Sequence, residues 1–252
     1  MKTRVIKFNS LRRHEWGSAT STRRLPAGSR FVRRFQRIHS LVAAAFLCFL
    51  GAEIGTAQVH GAAVPLEAGD FVEEVTRLKD LVFESGSDLY VAPSLQEQTD
   101  FRALADAIWV GDTGGAQSLA DGLGYEVLEF VDNVSGSAYY GIREVLTNGV
   151  QTKGWGSYFV NPSFEADALV EVPHVLWDTN SWDVGAKSFR DARARGFLMA
   201  GAHRNANGKN TADVAHIDTS IFHHVHESWV GSSSATDAWQ IHGFDLDKHA
   251  SF

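Results

Sequence analysis

Three histidines occupy equivalent positions, each at the end of a short apolar segment that predicts a β-strand. The segments and their histidines are Ala168–Val172 with His174, Gly196–Ala200 with His203, and Ala238–Ile241 with His242. Neutral imidazole is the commonest metal ligand in proteins, and catalytic zinc sites combine three protein ligands with one open position. The pattern therefore predicts a divalent metal, zinc by preference, bound by the three imidazoles. The alternative is three unrelated loop histidines.

Polar residues near these strand ends extend the predicted site. Asp178 follows His174 by four residues and is a candidate base or further ligand. Arg204 directly follows His203 and can bind a substrate carboxylate or a developing oxyanion, or can form a surface salt bridge instead. His216 falls in the first turn of a predicted helix over Asp213–Val230 and is a candidate fourth metal ligand. His223 and Glu227 of that helix are predicted on its solvent-facing side.

The elements around these residues predict an α/β fold. Helices over Trp182–Ala194 and Asp213–Val230 alternate with the three strands, which favours a parallel sheet with crossover helices and one edge where all carboxyl ends meet. Earlier segments predict three helices and then three strands: Phe71–Phe83, Glu97–Trp109 and Ala116–Leu123, followed by Tyr125–Val131, Tyr139–Leu146 and Ser157–Val160. We predict a single three-layer domain with helices on both faces of a mixed sheet, antiparallel early and parallel late.

The first 57 residues differ in composition from the rest and predict export. They contain eleven basic and two acidic residues, and Leu41–Ala52 is an apolar run of 12 residues. A membrane span needs about 20 apolar residues, whereas a signal-peptide core needs about 7–15. We interpret residues 1–57 as a leader cleaved before Gln58, with a transit peptide as the alternative. The mature protein is then periplasmic or extracellular and has no stable membrane span.

The remaining chain is interpreted as a linker over residues 58–70 and an α/β domain over residues 71–252, which in an alternative interpretation is truncated at its C-terminus. Residues 58–252 contain 12 basic and 28 acidic residues, a formal net charge of −16, which disfavours nucleic-acid partners. Cys48, the single cysteine, lies in the apolar run. Thiolate ligands and a cysteine nucleophile are thereby excluded from the mature domain.

The strand-end motifs resemble those of the N-formylglutamate amidohydrolases and, more distantly, of zinc carboxypeptidase-like hydrolases. The resemblance covers about residues 168–245 and is carried by Val172–His174, His203–Asn205 and Gln240–Gly243. It implies zinc-dependent hydrolysis of an amide near a carboxylate. The sequence departs from the amidohydrolase pattern at Gln240, where an acid is expected, and at Gly243, where a serine is expected.

These observations predict a secreted metal-dependent hydrolase that acts on an amide or peptide bond of a small molecule or peptide. One alternative is a non-catalytic secreted binding domain for a glycan or cell-wall peptide, in which tryptophans such as Trp155, Trp177 and Trp182 stack on sugars. Another is an inactive, truncated relative of such a hydrolase. A serine hydrolase is disfavoured because the chain has no Gly-x-Ser-x-Gly motif.

Overall fold

A computed structural model describes residues 3–8, 64–232 and 236–243 of the chain. The chain forms two compact units, one of Met1–Ser10 with His60–Phe252 and one of Leu11–Val59. The second unit lies outside the described residues, as do the predicted apolar run and the predicted cleavage position at Gln58.

The described residues of the first unit form eight strands and five helices. The strands are β1 (Thr3–Phe8), β2 (Leu66–Gly69), β3 (Tyr125–Asp132), β4 (Ala138–Glu144), β5 (Ser157–Val160), β6 (Ala166–Val172), β7 (Ala194–Met199) and β8 (Asp237–Gly243). The helices are α1 (Phe71–Lys79), α2 (Leu95–Trp109), α3 (Thr113–Leu123), α4 (Ser181–Asp191) and α5 (Ile221–Gly231). Within the described ranges, no helix is both long and apolar enough to cross a membrane.

All eight strands belong to one mixed sheet, in the order β1-β8-β6-β7-β5-β4-β3-β2. The pairs among β3, β4, β5 and β7 are antiparallel, whereas β7, β6, β8 and β1 run parallel and β2 is parallel to β3. This arrangement confirms the predicted mixed α/β sheet. It also confirms that β6, β7 and β8, which lead to the three histidines, are parallel members of one sheet.

Neighbouring residues of β5 show that helices cover both faces of the sheet. Successive side chains of a strand point to opposite faces. Phe159 packs on Phe71 of α1, with ring centroids 5.1 Å apart, whereas its neighbour Tyr158 packs edge-on against Trp229 of α5 at 6.4 Å. Phe71 also contacts Phe189 of α4 at 5.1 Å. Helices α1 and α4 therefore cover one face and α5 the other, as the three-layer prediction requires.

The order of the parallel strands creates a crevice at one end of the sheet. The chain passes from β6 through α4 to β7 on one side, and then through α5 to β8 on the other side of β6. Ligands of open α/β sheets bind at the carboxyl ends of the strands where the winding reverses in this way. Because β6 and β8 are direct neighbours, the residues at their carboxyl ends, His174 and His242, are brought to one place.

The helix predicted over Asp213–Val230 starts later than the sequence pattern indicated. It begins at Ile221, and the side chain of Ser220 caps it by accepting a hydrogen bond from the backbone N–H of His223 at 3.2 Å. Residues 213–220 form turns instead. A serine is a strong N-cap signal, and it outweighs the apolar spacing that suggested an earlier start. His216 therefore precedes the helix and does not belong to its first turn.

Two strands lie in segments that the sequence pattern assigned to the leader and the linker. Thr3–Phe8 pairs in parallel with β8, and Leu66–Gly69 pairs in parallel with β3 at the opposite edge. Residues of β2 alternate between exposed and half-buried, so this short edge strand has no apolar run that would mark it in the sequence. The sheet is consequently wider than the predicted elements indicated.

Gly156 fixes the close approach of the chain segments that lead towards His203. It has a φ of +110°, and an added Cβ would lie 2.2 Å from the backbone oxygen of Met199. We expect Gly156→Ala to destabilise the protein by about 3 kcal/mol or more, because backbone strain adds to the clash. Gly122→Ala is the matched control: this exposed helical position has no atom within 4 Å of an added Cβ, and up to about 1 kcal/mol of stabilisation is expected. Urea unfolding measures the free energy of unfolding of both variants. Equal changes in Gly156→Ala and Gly122→Ala would contradict the close packing at Gly156.

Candidate metal centre

The imidazole rings of His174 and His242 meet at the β6–β8 crevice. Their ring centroids are 4.9 Å apart with an interplanar angle of 65°. His174 is buried and follows β6 by two residues, whereas His242 lies within β8 and is partly buried. Strand pairing thus brings together two of the three histidines predicted as ligands.

Asp178 joins these two histidines in a first group of possible metal ligands. Its backbone N–H donates to the carbonyl oxygen of His174 at 2.9 Å, which turns its side chain back towards the strand ends. One carboxylate oxygen lies 3.3 Å from Nδ1 of His174 and 3.0 Å from Nδ1 of His242. We call His174, Asp178 and His242 the Asp178 group. Its ligand atoms are close enough together to hold a metal ion.

Asp213 forms a second group on the other side of the His174 ring. Its Oδ1 lies 2.9 Å from Nε2 of His174 and 3.1 Å from Nδ1 of His216, and its Oδ2 accepts a hydrogen bond from Arg204. We call His174, Asp213 and His216 the Asp213 group, and it too can hold a metal ion. Asp213 is absent from the site predicted from the sequence. The signal that could have revealed it is the Asp-x-x-His spacing to His216 within a turn.

His174 contacts a carboxylate through each ring nitrogen. Burial alone would raise the pKa of both acids. For Asp178, hydrogen bonds and charges from His174 and His242 outweigh burial and lower the pKa to about 2. For Asp213, His174, His216 and Arg204 likewise lower the pKa. Neutral imidazole has a single N–H and cannot donate to both carboxylates. A neutral ring can therefore donate to one of the two carboxylates only, and a cation between the other carboxylate and its ring nitrogen would satisfy both.

His203 belongs to neither group, although it was predicted as a ligand. Its Nδ1 accepts a hydrogen bond from the backbone N–H of Asn205 at 3.0 Å, and its own backbone N–H donates to Phe83 at 2.7 Å. Its ring packs edge-on against Trp177, with centroids 5.7 Å apart. Burial lowers the pKa of His203, which favours the neutral ring. His203 lies four residues beyond the end of β7, and its backbone hydrogen bond to Phe83 keeps it on a segment that has left the sheet.

Arg204 connects the second group to the rim of the site. Its guanidinium donates to Asp213 and, at 3.1 Å, to Asn210, and lies 5.5 Å from the centroid of the Trp177 ring. The positive charge of Arg204 is therefore paired with the negative charge of Asp213. The predicted contact of Arg204 with substrate remains a prediction.

The remaining histidines of α5 have other partners. His223 lies 3.4 Å from Glu227 on the partly exposed side of the helix, and His224 contacts Gln98 at 2.9 Å. His226 contacts the fully buried Glu171 of β6 at 2.5 Å. Burial alone would lower the pKa of His226, but the hydrogen bond and charge of Glu171 raise it. Of the histidines in residues 213–230, only His216 takes part in the two groups.

Comparisons of the chain with protein-family models, with curated proteins and with solved structures find no match. The geometry of the two groups is therefore the basis for the function proposed below.

The lowered pKa of Asp178 predicts an acid-sensitive contribution to stability. Because the pKa falls from 3.8 to about 2 on folding, this contribution is complete above about pH 5 and is lost as the pH falls through 2. In metal-free protein, Asp178→Asn should be less stable at pH 7 by up to about 2 kcal/mol, at 1.36 kcal/mol per pKa unit. That deficit should shrink towards zero near pH 2.

The control for this pH dependence is Asp183→Asn, which removes a carboxylate paired with Lys187 on the surface of α4. It should keep the acid-dependent loss of stability seen in the wild type. Denaturant unfolding at a series of pH values provides the measurement. A deficit of Asp178→Asn that stays constant between pH 7 and pH 2 would contradict the assignment.

Proposed function

We propose that this protein is an exported metal-dependent hydrolase that cleaves an amide or peptide bond, with a divalent ion, preferably zinc, bound by the Asp178 group. The observation that carries the proposal is the environment of His174, whose two ring nitrogens face two ionised carboxylates. A cation at Nδ1 removes the conflict, since the ring then donates its single N–H from Nε2 to Asp213. Export is proposed from the basic leader and its short apolar run, and removal of this leader would take the edge strand β1 from the sheet and leave β8 at that edge.

The Asp178 group is the better of the two metal sites. Asp213 is already neutralised by the guanidinium of Arg204, and this positive charge opposes a second cation at the same carboxylate. His216 in the Asp213 group is 71% exposed, so its side chain has much conformational freedom to lose on metal binding. Within the described residues, the carboxylate of Asp178 pairs with the two imidazoles and with no guanidinium or ammonium group, and all three members of its group are at least partly buried.

The donor set of the Asp178 group suits a catalytic ion. Two imidazoles and one carboxylate bind zinc in several hydrolytic enzymes and leave a coordination position open. Such an ion polarises a carbonyl group and lowers the pKa of its bound water to about 7.

The protein residues around the ion have distinct proposed roles. Asp213 accepts a hydrogen bond from the Nε2–H group of His174 and so fixes the tautomer and orientation of that ligand. Arg204 holds Asp213, and its N–H groups that are not used by Asp213 or Asn210 can donate to a substrate oxygen. His216 bonds to Asp213 through Nδ1 and is otherwise exposed, so its Nε2 can exchange protons with substrate or solvent.

Metal analysis of the purified protein tests the proposed site. The wild type should bind one zinc ion per chain, and its amidase activity on a panel of N-acyl compounds should be lost on chelation and restored by zinc. His242→Ala should weaken zinc binding by more than about 100-fold, and Asp213→Asn by about 10–100-fold, as for other residues that orient ligands.

His203→Ala and His223→Ala are the matched controls, because each removes an imidazole outside the Asp178 group. Both should retain zinc with wild-type stoichiometry. Loss of zinc from His203→Ala to the same extent as from His242→Ala would instead restore the three-histidine site predicted from the strand ends.

His216 separates the role of proton transfer from that of metal binding. If it transfers protons, His216→Ala should retain zinc and the wild-type unfolding transition while kcat falls by about 10²–10⁴-fold. Steady-state kinetics together with metal content give the answer. A variant that loses zinc would show that the Asp213 group binds the ion, and unchanged kcat would exclude His216 from the reaction.

A further inference from the structure

Trp177 is a large apolar side chain exposed at the rim of the candidate site. Its side chain is 55% exposed, and it directly precedes Asp178 in the chain. Single exposed apolar residues are common on protein surfaces and need no functional explanation by themselves. Trp177 differs because its ring contacts two polar residues near the site, His203 and Arg204.

These contacts keep the exposed indole in a defined position. The ring of His203 packs edge-on against it at 5.7 Å, and the guanidinium of Arg204 lies 5.5 Å from its centroid. Both neighbours are themselves fixed. His203 is held by Phe83 and Asn205, and Arg204 by Asp213. Arg204 thereby links the indole to Asp213, which contacts His174.

We propose that Trp177 is a stacking platform for a pyranose ring, and that the substrate is a neutral N-acylated amino sugar or a glycan that contains one. The proposal rests on the proposed function, because the amide to be cleaved is the N-acyl group of the sugar. One face of a pyranose presents C–H groups that pack on an indole, while its hydroxyl groups need donors and acceptors at the edge of the platform.

The surroundings of Trp177 favour a sugar over an apolar side chain. Sites for apolar groups are concave and bury most of their ligand, whereas more than half of Trp177 is open to solvent. Hydrogen-bonding groups lie around it: Arg204 contacts the ring, and Asn210 contacts Arg204. These groups suit the hydroxyl and amide oxygens of a sugar.

Charge favours a neutral sugar over an acidic substrate. Arg204 is paired with Asp213, so its charge is already compensated. Residues 58–252 carry a formal net charge of −16, which repels polyanions.

Binding of the trimer of N-acetylglucosamine, followed by calorimetry on the purified protein, tests the platform. The wild type should bind the trimer. Trp177→Ala should weaken binding by about 10-fold or more, the scale of one lost aromatic contact of about 1.4 kcal/mol. Trp177→Phe should retain a substantial part of the wild-type affinity for the trimer, because phenylalanine keeps an aromatic face. Zinc content and the unfolding transition should not change in either variant. A purely structural role of Trp177 would instead change both quantities in Trp177→Ala.

Two further measurements separate this proposal from the proposed function. Wild-type protein from which zinc has been removed by chelation should still bind the trimer within a few-fold of the zinc-loaded protein, because the platform does not need the metal. Trimer binding without release of acetate would support the platform and contradict deacetylation. The platform is overturned if the wild type does not bind the trimer at millimolar concentration, or if Trp177→Ala binds it as well as the wild type. It is also overturned if N-acetylphenylalaninamide, and not the trimer, binds in a Trp177-dependent manner.

Discussion

The site depends on one buried imidazole, that of His174, which lies between two carboxylates. His174 faces Asp178 through Nδ1 and Asp213 through Nε2, and neutral imidazole can satisfy only one of them as a donor. Removing a charged group from water costs several kcal/mol unless the group is paired. Two buried carboxylates on one imidazole therefore need a further positive charge to compensate them. A doubly protonated ring does so without metal. A cation on one side does so with the ring neutral, and this second state is the one a hydrolase can use.

The asymmetry between the two carboxylates favours one side of the ring for the proposed cation. Asp213 is paired with the cationic guanidinium of Arg204. Within the described residues, Asp178 is paired instead with two imidazoles, which are neutral as metal ligands and would leave the carboxylate to the same ion. The two acids thus have different roles despite similar contacts with His174. One is suited to bind the ion, and the other to orient a ligand of that ion.

The sequence predicted the fold more fully than it predicted the site. Alternating strands and helices after Ala168 were sufficient to predict parallel strands with their carboxyl ends at one edge, and the structure confirms them. The site depends also on the path that the chain takes after each strand. Equivalent positions in the sequence suggested three equal histidines, but His242 lies within β8 and meets His174, whereas His203 lies four residues beyond β7, where its backbone bonds to Phe83 and its ring packs against Trp177. Asp213 could not be predicted in the same way, because it reaches His174 from a turn that precedes α5 and its placement depends on tertiary packing.

The position of that turn depends in part on a charged pair buried beneath α5. Glu171 of β6 is fully buried and contacts His226 of α5, and it interrupts the otherwise apolar stretch of residues 168–172 in a central parallel strand, where apolar runs are usual. A buried ion pair adds little net stability compared with apolar packing, but it penalises arrangements in which the partners separate. Any rotation or shift of α5 along the sheet would leave Glu171 without His226. This contact favours one register of the helix and so supports the turn before it, in which Asp213 and His216 lie eight and five residues ahead of α5. The strand that leads to His174, the proposed metal ligand, thus also contacts the helix whose preceding turn brings Asp213 to that ligand.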